Sequence, residues 1–258
     1  MRNKLTNELA ICGLNAVLAA AEYHPDTIKR LFLREDRLSH FSEFCKKLAL
    51  DKRPYKLCSD EELERICKSF HHQGVVAMIQ EPQIEALSHE DLDFWAQEGK
   101  TGILLHSVEN DHNIGAIARA AAFFDAHFLV LGGESEPRLT SSTYRTAEGG
   151  LEHLQVRKIS NSAKFLRDAS KCLISIATDV RARLRISDLK TVIADKRKTY
   201  KTRGRTGLLL VFGNEENGLP VEVKEKCSCI VRIPGTGNIQ SLNVSQAAAL
   251  FLQKIYEL

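Results

Sequence analysis

Two stretches near the C-terminal end carry residue types that could do chemistry. Leu209-Leu-Val-Phe-Gly-Asn-Glu-Glu-Asn-Gly-Leu-Pro220 and Ile233-Pro-Gly-Thr-Gly-Asn-Ile-Gln-Ser-Leu-Asn-Val-Ser245 each run from an apolar strand into a glycine-containing loop and then a helix start. Two such loops side by side offer free backbone N–H and C=O groups with little side-chain bulk, which suits a flat, polar, nucleoside-like cofactor. An ordinary dinucleotide fingerprint fails here. Gly235-Thr-Gly237 is not completed by a glycine at Gln240, and the loop follows the last strand rather than the first. A third stretch, Asn113-Ile-Gly-Ala-Ile-Ala-Arg119, places an amide and a guanidinium on one helical segment. Its neighbours Ile114, Ile117, Ala118, Ala121 and Ala122 make that helix mostly buried, where an unpaired arginine would be costly. Taken alone, Glu215 also fits a helix-start carboxylate ahead of Pro220, and Ser241 and Asn243 fit caps of the apolar helix that follows.

The elements that must position these residues belong to a chain of 258 residues, 43% apolar and 27% charged, ordinary for a soluble globular protein. Apolar runs such as Leu208 to Phe212 are too short to span a bilayer, and the first residues lack an apolar signal core, so the expected location is the cytoplasm. The seven cysteines are scattered and odd in number, as for reduced, packed thiols. Cys227 and Cys229 have no second pair at metal spacing, so no metal is expected. Net charge is +3, but residues 181–205 alone hold ten basic and two acidic side chains. Without compensating acids, Arg181, Arg183, Arg185, Lys196, Arg197, Lys198, Lys201, Arg203 and Arg205 point to phosphate contact. Tyr200 is the one aromatic among them, so base stacking is weakly supported. His71 and His72 beside Gln73-Gly74 are expected to be polar loop residues.

Residues 82–98 hold five acids and no base, begin with a proline, and separate two strand-like runs, which marks an expected linker. Part of it, Ser88 to Gln97, fits a short helix capped by Ser88. Upstream, Asn15 to Ala21 and Phe41 to Leu50 read as helices, Ile28 to Leu33 and Val75 to Ile79 as strands, and Ser59 to Glu62 as a capping box. Downstream, Gly102–His106, Phe128–Leu131, Cys172–Ala177, Leu208–Phe212 and Cys229–Ile233 are continuous apolar runs separated by helical patterns. They predict an α/β class with a parallel sheet covered on both faces.

The three chemistry-bearing stretches, in this order and spacing, resemble the loops of the SpoU branch of the SPOUT RNA methyltransferases. They are Asn113-x-Gly-x-x-x-Arg119, Phe212-Gly-Asn-Glu215-Glu-Asn-Gly218 and Ile233-Pro-x-x-Gly237-x-x-Ser241-Leu-Asn243. Cys12-Gly-Leu-Asn-Ala-Val-Leu, Ile28-Lys-Arg-Leu-Phe-Leu and His72-Gln-Gly-Val-Val-Ala are similar to the substrate-binding domain of many members, itself similar to a small RNA-binding ribosomal protein. The resemblance covers nearly the whole chain. It implies a small α/β ribosomal-protein-like substrate-binding domain over 1–81, the linker over 82–98, and a C-terminal trefoil-knotted parallel-sheet domain over 99–258. Periodicity alone would not suggest a knot, because threaded chains are very rare.

The resemblance further implies a homodimer that transfers a methyl group from S-adenosylmethionine to a ribose 2′-hydroxyl of structured RNA. Ribosomal RNA is favoured over transfer RNA by the two-domain layout. By the same resemblance Asn113, Arg119, Glu215, Ser241 and Asn243 form the catalytic centre. Thr178, Phe212, Gly213, Asn214, Glu215, Ile233, Gly237, Leu242 and Asn243 hold the cofactor. Arg145, with Arg181, Arg183, Lys196, Arg197, Lys198, Lys201 and Arg203, contacts RNA. A guanidinium stays protonated in proteins, so Arg119 suits phosphate binding or stabilisation of alkoxide charge better than general-base duty. The chain departs from the pattern at Glu148, where small residues are commoner; a carboxylate there would sit near the RNA. That departure supports an alternative, an RNA-binding or ribosome-assembly factor of the same fold with little or no turnover.

Overall fold

The computed structural model describes residues 2–3, 7–199 and 206–258. The chain forms two compact units, Met1–Gln83 with Leu139–His153, and Ile84–Arg138 with Leu154–Leu258. In chain order the first contains β1 (Arg2–Asn3), β2 (Glu8–Cys12), α1 (Leu14–Tyr23), β3 (Ile28–Leu33), α2 (Ser42–Leu50), β4 (Tyr55–Leu57), α3 (Asp60–Cys67) and β5 (Val75–Gln80). The second follows with β6 (Glu85–Ala86), α4 (His89–Glu98), β7 (Thr101–His106), α5 (Asp111–Phe123) and β8 (Ala126–Gly132). Helix α6 (Ser141–Ala147) belongs to the first unit. The second then continues with β9 (Gln155–Ile159), α7 (Ser162–Ala169), β10 (Leu173–Thr178), β11 (Leu184–Arg185), α8 (Leu189–Thr199), β12 (Gly207–Phe212), α9 (Val221–Lys224), β13 (Cys229–Arg232) and α10 (Val244–Tyr256).

The first unit is a five-stranded sheet in the order β1-β2-β5-β3-β4. Continuously apolar β5 is central, antiparallel to both β2 and β3. Helix α3 starts at the capping box formed by Ser59 and Glu62, and its Leu63 and Cys67 join Ala10, Cys12, Val76 and Met78 in one core. The segment expected to be polar loop is structural instead. His72 is buried, and its Nδ1 accepts the Gly74 N–H at 3.1 Å. Gln73 Oε1 accepts the Leu14 N–H at 2.7 Å, satisfying an open donor at the start of α1.

The second unit is an eight-stranded, all-parallel sheet in the order β11-β13-β10-β12-β7-β8-β9-β6. Residues 82–98 do not behave as a spacer: β6 pairs with β9, and α4 buries Trp95 completely. Trp95 stacks on Phe128 at 4.6 Å and donates Nε1–H to the Lys100 carbonyl at 3.0 Å. A Cβ on Gly102 or Gly207 would lie 2.2 Å or 2.8 Å from its ring, so both strands carry glycine where the indole crosses. Asp91 caps this helix reciprocally with Ser88 and also receives Arg157 at 2.8 and 3.1 Å. All strands point the same way, so the loops after β7, β10, β12 and β13 gather at one edge, where ligands bind in open parallel sheets.

Candidate active site at the carboxyl edge of the sheet

Strand β12 is inserted between β7 and β10, so the loop after β12 stands beside the start of α5. That loop is folded tightly. Asn214 pairs with Gly218, and a Cβ on Gly213 would meet the Gly218 carbonyl at 2.3 to 2.4 Å. The Asn214 side chain is fully engaged: Nδ2 donates to the Ser107 carbonyl at 2.9 Å, and Oδ1 accepts the N–H groups of Glu216 and Asn217 at 3.0 and 3.1 Å. These bonds turn Glu215 toward α5. Asn110 caps α5 by accepting the His112 and Asn113 N–H groups, at 2.9 and 3.3 Å, which fixes Asn113 in the first turn.

Three side chains, one in the first turn of α5 and two from loops, then form one chain of hydrogen bonds. Asn113 Nδ2 donates to Glu215 Oε1 at 2.7 Å, and Asn243 Nδ2 donates to Asn113 Oδ1 at 3.0 Å. Asn243 Oδ1 accepts the Ser245 N–H at 2.8 Å, capping α10. The last bond sets the polarity of the rest. A backbone N–H can only donate, so Asn243 must face it with oxygen and face Asn113 with NH2. Asn113 is thereby obliged to present its own NH2 to Glu215, which serves as a pure acceptor. Glu215 Oε2 has no partner among the described residues and is exposed.

Ser241 is exposed on the same loop as Asn243, two residues before it. Arg119 does not join the chain. It lies six residues along α5 from Asn113, about 9 Å further along the axis, on the exposed face. The helix confines burial to Asn113, Ile114, Gly115, Ile117, Ala118 and Ala121, which leaves Arg119 on its open side. Glu215 sits in the turn before Pro220 rather than in a helix, since α9 begins at Val221. Thr178 and Phe212 end adjacent strands, and Ile233 directly follows β13. The Phe212 ring is in the core against Phe251, and Thr178 Oγ1 donates to the Val211 carbonyl, which leaves mainly their backbone for a ligand.

Between Gly235 and Leu242, the main-chain N–H of Asn238 alone has a partner among the described residues, Thr236 Oγ1 at 3.4 Å. Added Cβ atoms at Gly235 and Gly237 would meet nothing within 4 Å. The loop is therefore open, rich in free donors, and flanked by the exposed apolar side chains of Ile239 and Leu242. Those are the properties a purine nucleoside with a polar tail needs, so the residues fit the expected cofactor.

Arg145 is half-buried in the first unit, with its guanidinium on the hydroxyls of Ser69 and Ser142, both at 3.2 Å. Arg181, Arg183, Arg197 and Lys198 are exposed and Lys196 is half-exposed; Lys198 pairs with Asp195. Lys201 and Arg203 lie outside the described residues. Glu148 caps α6 in the left-handed conformation and accepts Asn15 Nδ2 at 3.3 Å. Cys227 and Cys229 are packed thiols that burial pushes up to about 12 and about 11. A concavity of about 520 Å³ beside α8, lined by Leu184, Val192, Asp195, Lys196, Ser228 and Cys229, shares no residue with the hydrogen-bonded chain. Among the described residues, no helix is long and apolar enough to cross a membrane.

A parallel sheet whose carboxyl-edge loops are joined through Asn113, Glu215 and Asn243 has the architecture of an α/β protein, with an open edge that suits a nucleoside-type ligand. Residues 100–253 match the profile of the SpoU rRNA Methylase family, and residues 10–85 match that for RNA 2'-O ribose methyltransferase substrate binding. The first match spans more than half of the chain, and the protein belongs to the SpoU rRNA methylase family. It is 32% identical to YacO of Bacillus subtilis (strain 168), named for the TrmH family, over 72% of this chain and 70% of that one. It is 28% identical to the 23S rRNA (guanosine-2'-O-)-methyltransferase RlmB of Xanthomonas campestris pv. campestris, over 94% of this chain and 93% of that one. The fold is that of the SpoU methyltransferase AviRb from Streptomyces viridochromogenes, solved in complex with AdoMet. The TM-score is 0.75 at 21% identity, covering 100% of this chain and 93% of that one.

Proposed function

We propose that this protein is an S-adenosylmethionine-dependent RNA ribose 2′-O-methyltransferase acting on ribosomal RNA. The observation that carries the reading is the continuous hydrogen-bonded chain Glu215–Asn113–Asn243, which joins all three family loops in one place. Ribosomal RNA is favoured because a relative matched over 94% of this chain is named as a 23S rRNA methyltransferase. The open amides of Gly235 to Leu242, with the backbone of Thr178, Phe212 and Ile233, would hold the cofactor. Bound there, it supplies an electrophilic methyl group.

The work of the chain is alignment, proton removal and charge stabilisation. Holding the ribose oxygen in line for displacement is worth roughly 7–11 kcal/mol in favourable cases. Glu215 is oriented by Asn113 so that one oxygen is occupied and Oε2 is left to receive the 2′-hydroxyl proton. Arg119, permanently charged and exposed on α5, balances charge on substrate oxygens. Further parts of the reading are a trefoil knot, a homodimer and a cytoplasmic location. The knot is supported by the insertion of β12 between β7 and β10 and by the return of α10 onto α5. The dimer is supported by an apolar patch where these helices end: Phe123 is 79% and Tyr256 65% exposed, with Phe124 between them. The alternative of a factor without turnover rested on Glu148, whose carboxylate is hydrogen-bonded to Asn15.

The test is transfer of a tritiated methyl group from S-adenosylmethionine into total RNA from a strain lacking the protein, separated by size. Label is expected in one large ribosomal band. Glu215→Gln and Arg119→Ala are each expected to cut turnover at least about a hundredfold while still binding cofactor. Unchanged turnover in either variant overturns that residue's role. Absence of label with wild-type protein that binds cofactor overturns the enzymatic reading on mature RNA.

A further inference from the structure

We propose that Arg185 and Arg232 together form a binding site for a backbone phosphate of the substrate RNA, at the outer edge of the parallel sheet. The proposal rests on the RNA methyltransferase reading and assigns a substrate contact within it. Strand β11 pairs with β13 in parallel, with Leu184 opposite Val231 and Arg185 opposite Arg232. Residues opposite each other in such a ladder point to the same face, with backbones about 4.8 Å apart. Two like charges in that relation repel, and a fold that keeps them together gains from an anion between them.

Neither guanidinium has a hydrogen bond or ion pair among the described residues. Arg232 is half-buried; its Nε is enclosed without a partner, so the terminal guanidinium nitrogens are the groups that can face a ligand. The nearby acids are already engaged. Asp188 accepts the Arg185 backbone N–H at 2.8 Å and the Ser187 hydroxyl at 3.2 Å. Asp179 takes Lys224 at 2.6 Å and the Arg181 N–H at 2.8 Å. Arg181 and Arg183, exposed just before β11, add two more cations. Four arginines beside two aspartates that are already engaged exceed what one small carboxylate ligand requires and suit a polyanion. The location fits as well. Arg232 directly precedes the loop that ends in Asn243, and β13 lies two strand spacings, about 10 Å, from β12, whose loop carries Glu215.

The experiment measures binding of unmodified 23S ribosomal RNA, transcribed in vitro, to the full-length protein as a function of salt, alongside calorimetric binding of S-adenosylhomocysteine. Wild-type protein, Arg185→Gln, Arg232→Gln and Arg232→Lys are compared. Arg185 is exposed, so its variant reports even if replacing Arg232 disturbs folding. Each glutamine variant is expected to weaken RNA binding about fivefold to tenfold and to flatten the log–log salt slope by about 0.7–0.9, one phosphate contact. Lysine at 232 is expected to keep the slope but not the affinity, because it retains charge without the planar fork. Cofactor affinity is expected to stay the same. An unchanged slope in Arg185→Gln and Arg232→Gln, with wild-type protein binding RNA, overturns this site and leaves the methyltransferase reading intact. Weakened S-adenosylhomocysteine binding with an unchanged RNA slope overturns it in favour of a carboxylate contact to the cofactor. Failure of wild-type protein to bind the RNA overturns both.

Discussion

The side-chain amide of Asn113 has one donating and one accepting end, and the fold uses both, toward Glu215 and from Asn243. Replacing it by aspartate sets a carboxylate against a carboxylate. Asn113→Asp is therefore expected to lose at least tenfold in kcat and to lower Tm, whereas activity equal to wild type would show that the chain does not orient Glu215. The residue types of this centre were legible in the sequence because they recur at fixed spacing in glycine-bearing loops. Their polarity was not, since it is set by the Ser245 N–H at the start of α10. Nor was the exposure of Arg119, because apolar neighbours along a helix do not say which face they leave open. Glu152 carries no local sequence signal for a related reason: its side chain is covered by packing within the first unit. Burial pushes its carboxyl up to about 7, with the half-exposed His24 ring at 3.2 Å. A raised acid favours the folded state at low pH. The contribution is fully present below the ordinary glutamate range and is lost as pH rises through about 7, a change of about 3 kcal/mol. Urea denaturation between pH 5 and 8.5 is expected to show this loss in wild-type protein and not in Glu152→Gln; equal pH slopes would contradict it.

At the scale of elements, the acidic stretch before β7 shows what composition can and cannot say. Its helix was legible from Ser88 and the acids of the first turn, and the capping box is present. Its role was not, because the charges describe the solvent face while one residue, Trp95, carries the burial. Trp95→Ala is expected to destabilise the second unit by about 3–5 kcal/mol, with a lowered urea midpoint, whereas a mere spacer would tolerate the change. Strands β7, β8, β10, β12 and β13 were legible as continuous apolar runs, since a parallel strand covered on both faces has no polar side. Two-residue β6 and β11 carry no such signal. The basic helix α8 supports a further expectation. Neutralising Lys196, Arg197 and Lys198 together is expected to weaken RNA binding and flatten its salt dependence, and an unchanged slope would mark a purely solvated face.

For the whole molecule, the class was legible and the connectivity was not. The alternation of apolar runs and helical patterns specifies a parallel sheet, but not that β12 enters between β7 and β10 rather than at an edge. Nor does it specify that residues 139–153 leave the second unit's sequence to pack with the first. Both depend on contacts between segments far apart in the chain, where local pattern carries no information. The function follows from that connectivity, because only the inserted β12 brings the Glu215 loop to the start of α5. The most direct test of ribose methylation is alkaline hydrolysis of ribosomal RNA labelled by the wild-type protein with tritiated S-adenosylmethionine. A methylated 2′-oxygen cannot attack its neighbouring phosphate, so label is expected in alkali-stable dinucleotides and to be absent when Glu215→Gln replaces the wild type. Label released as mononucleotides would mean that the methyl group goes to a base, and would contradict the account.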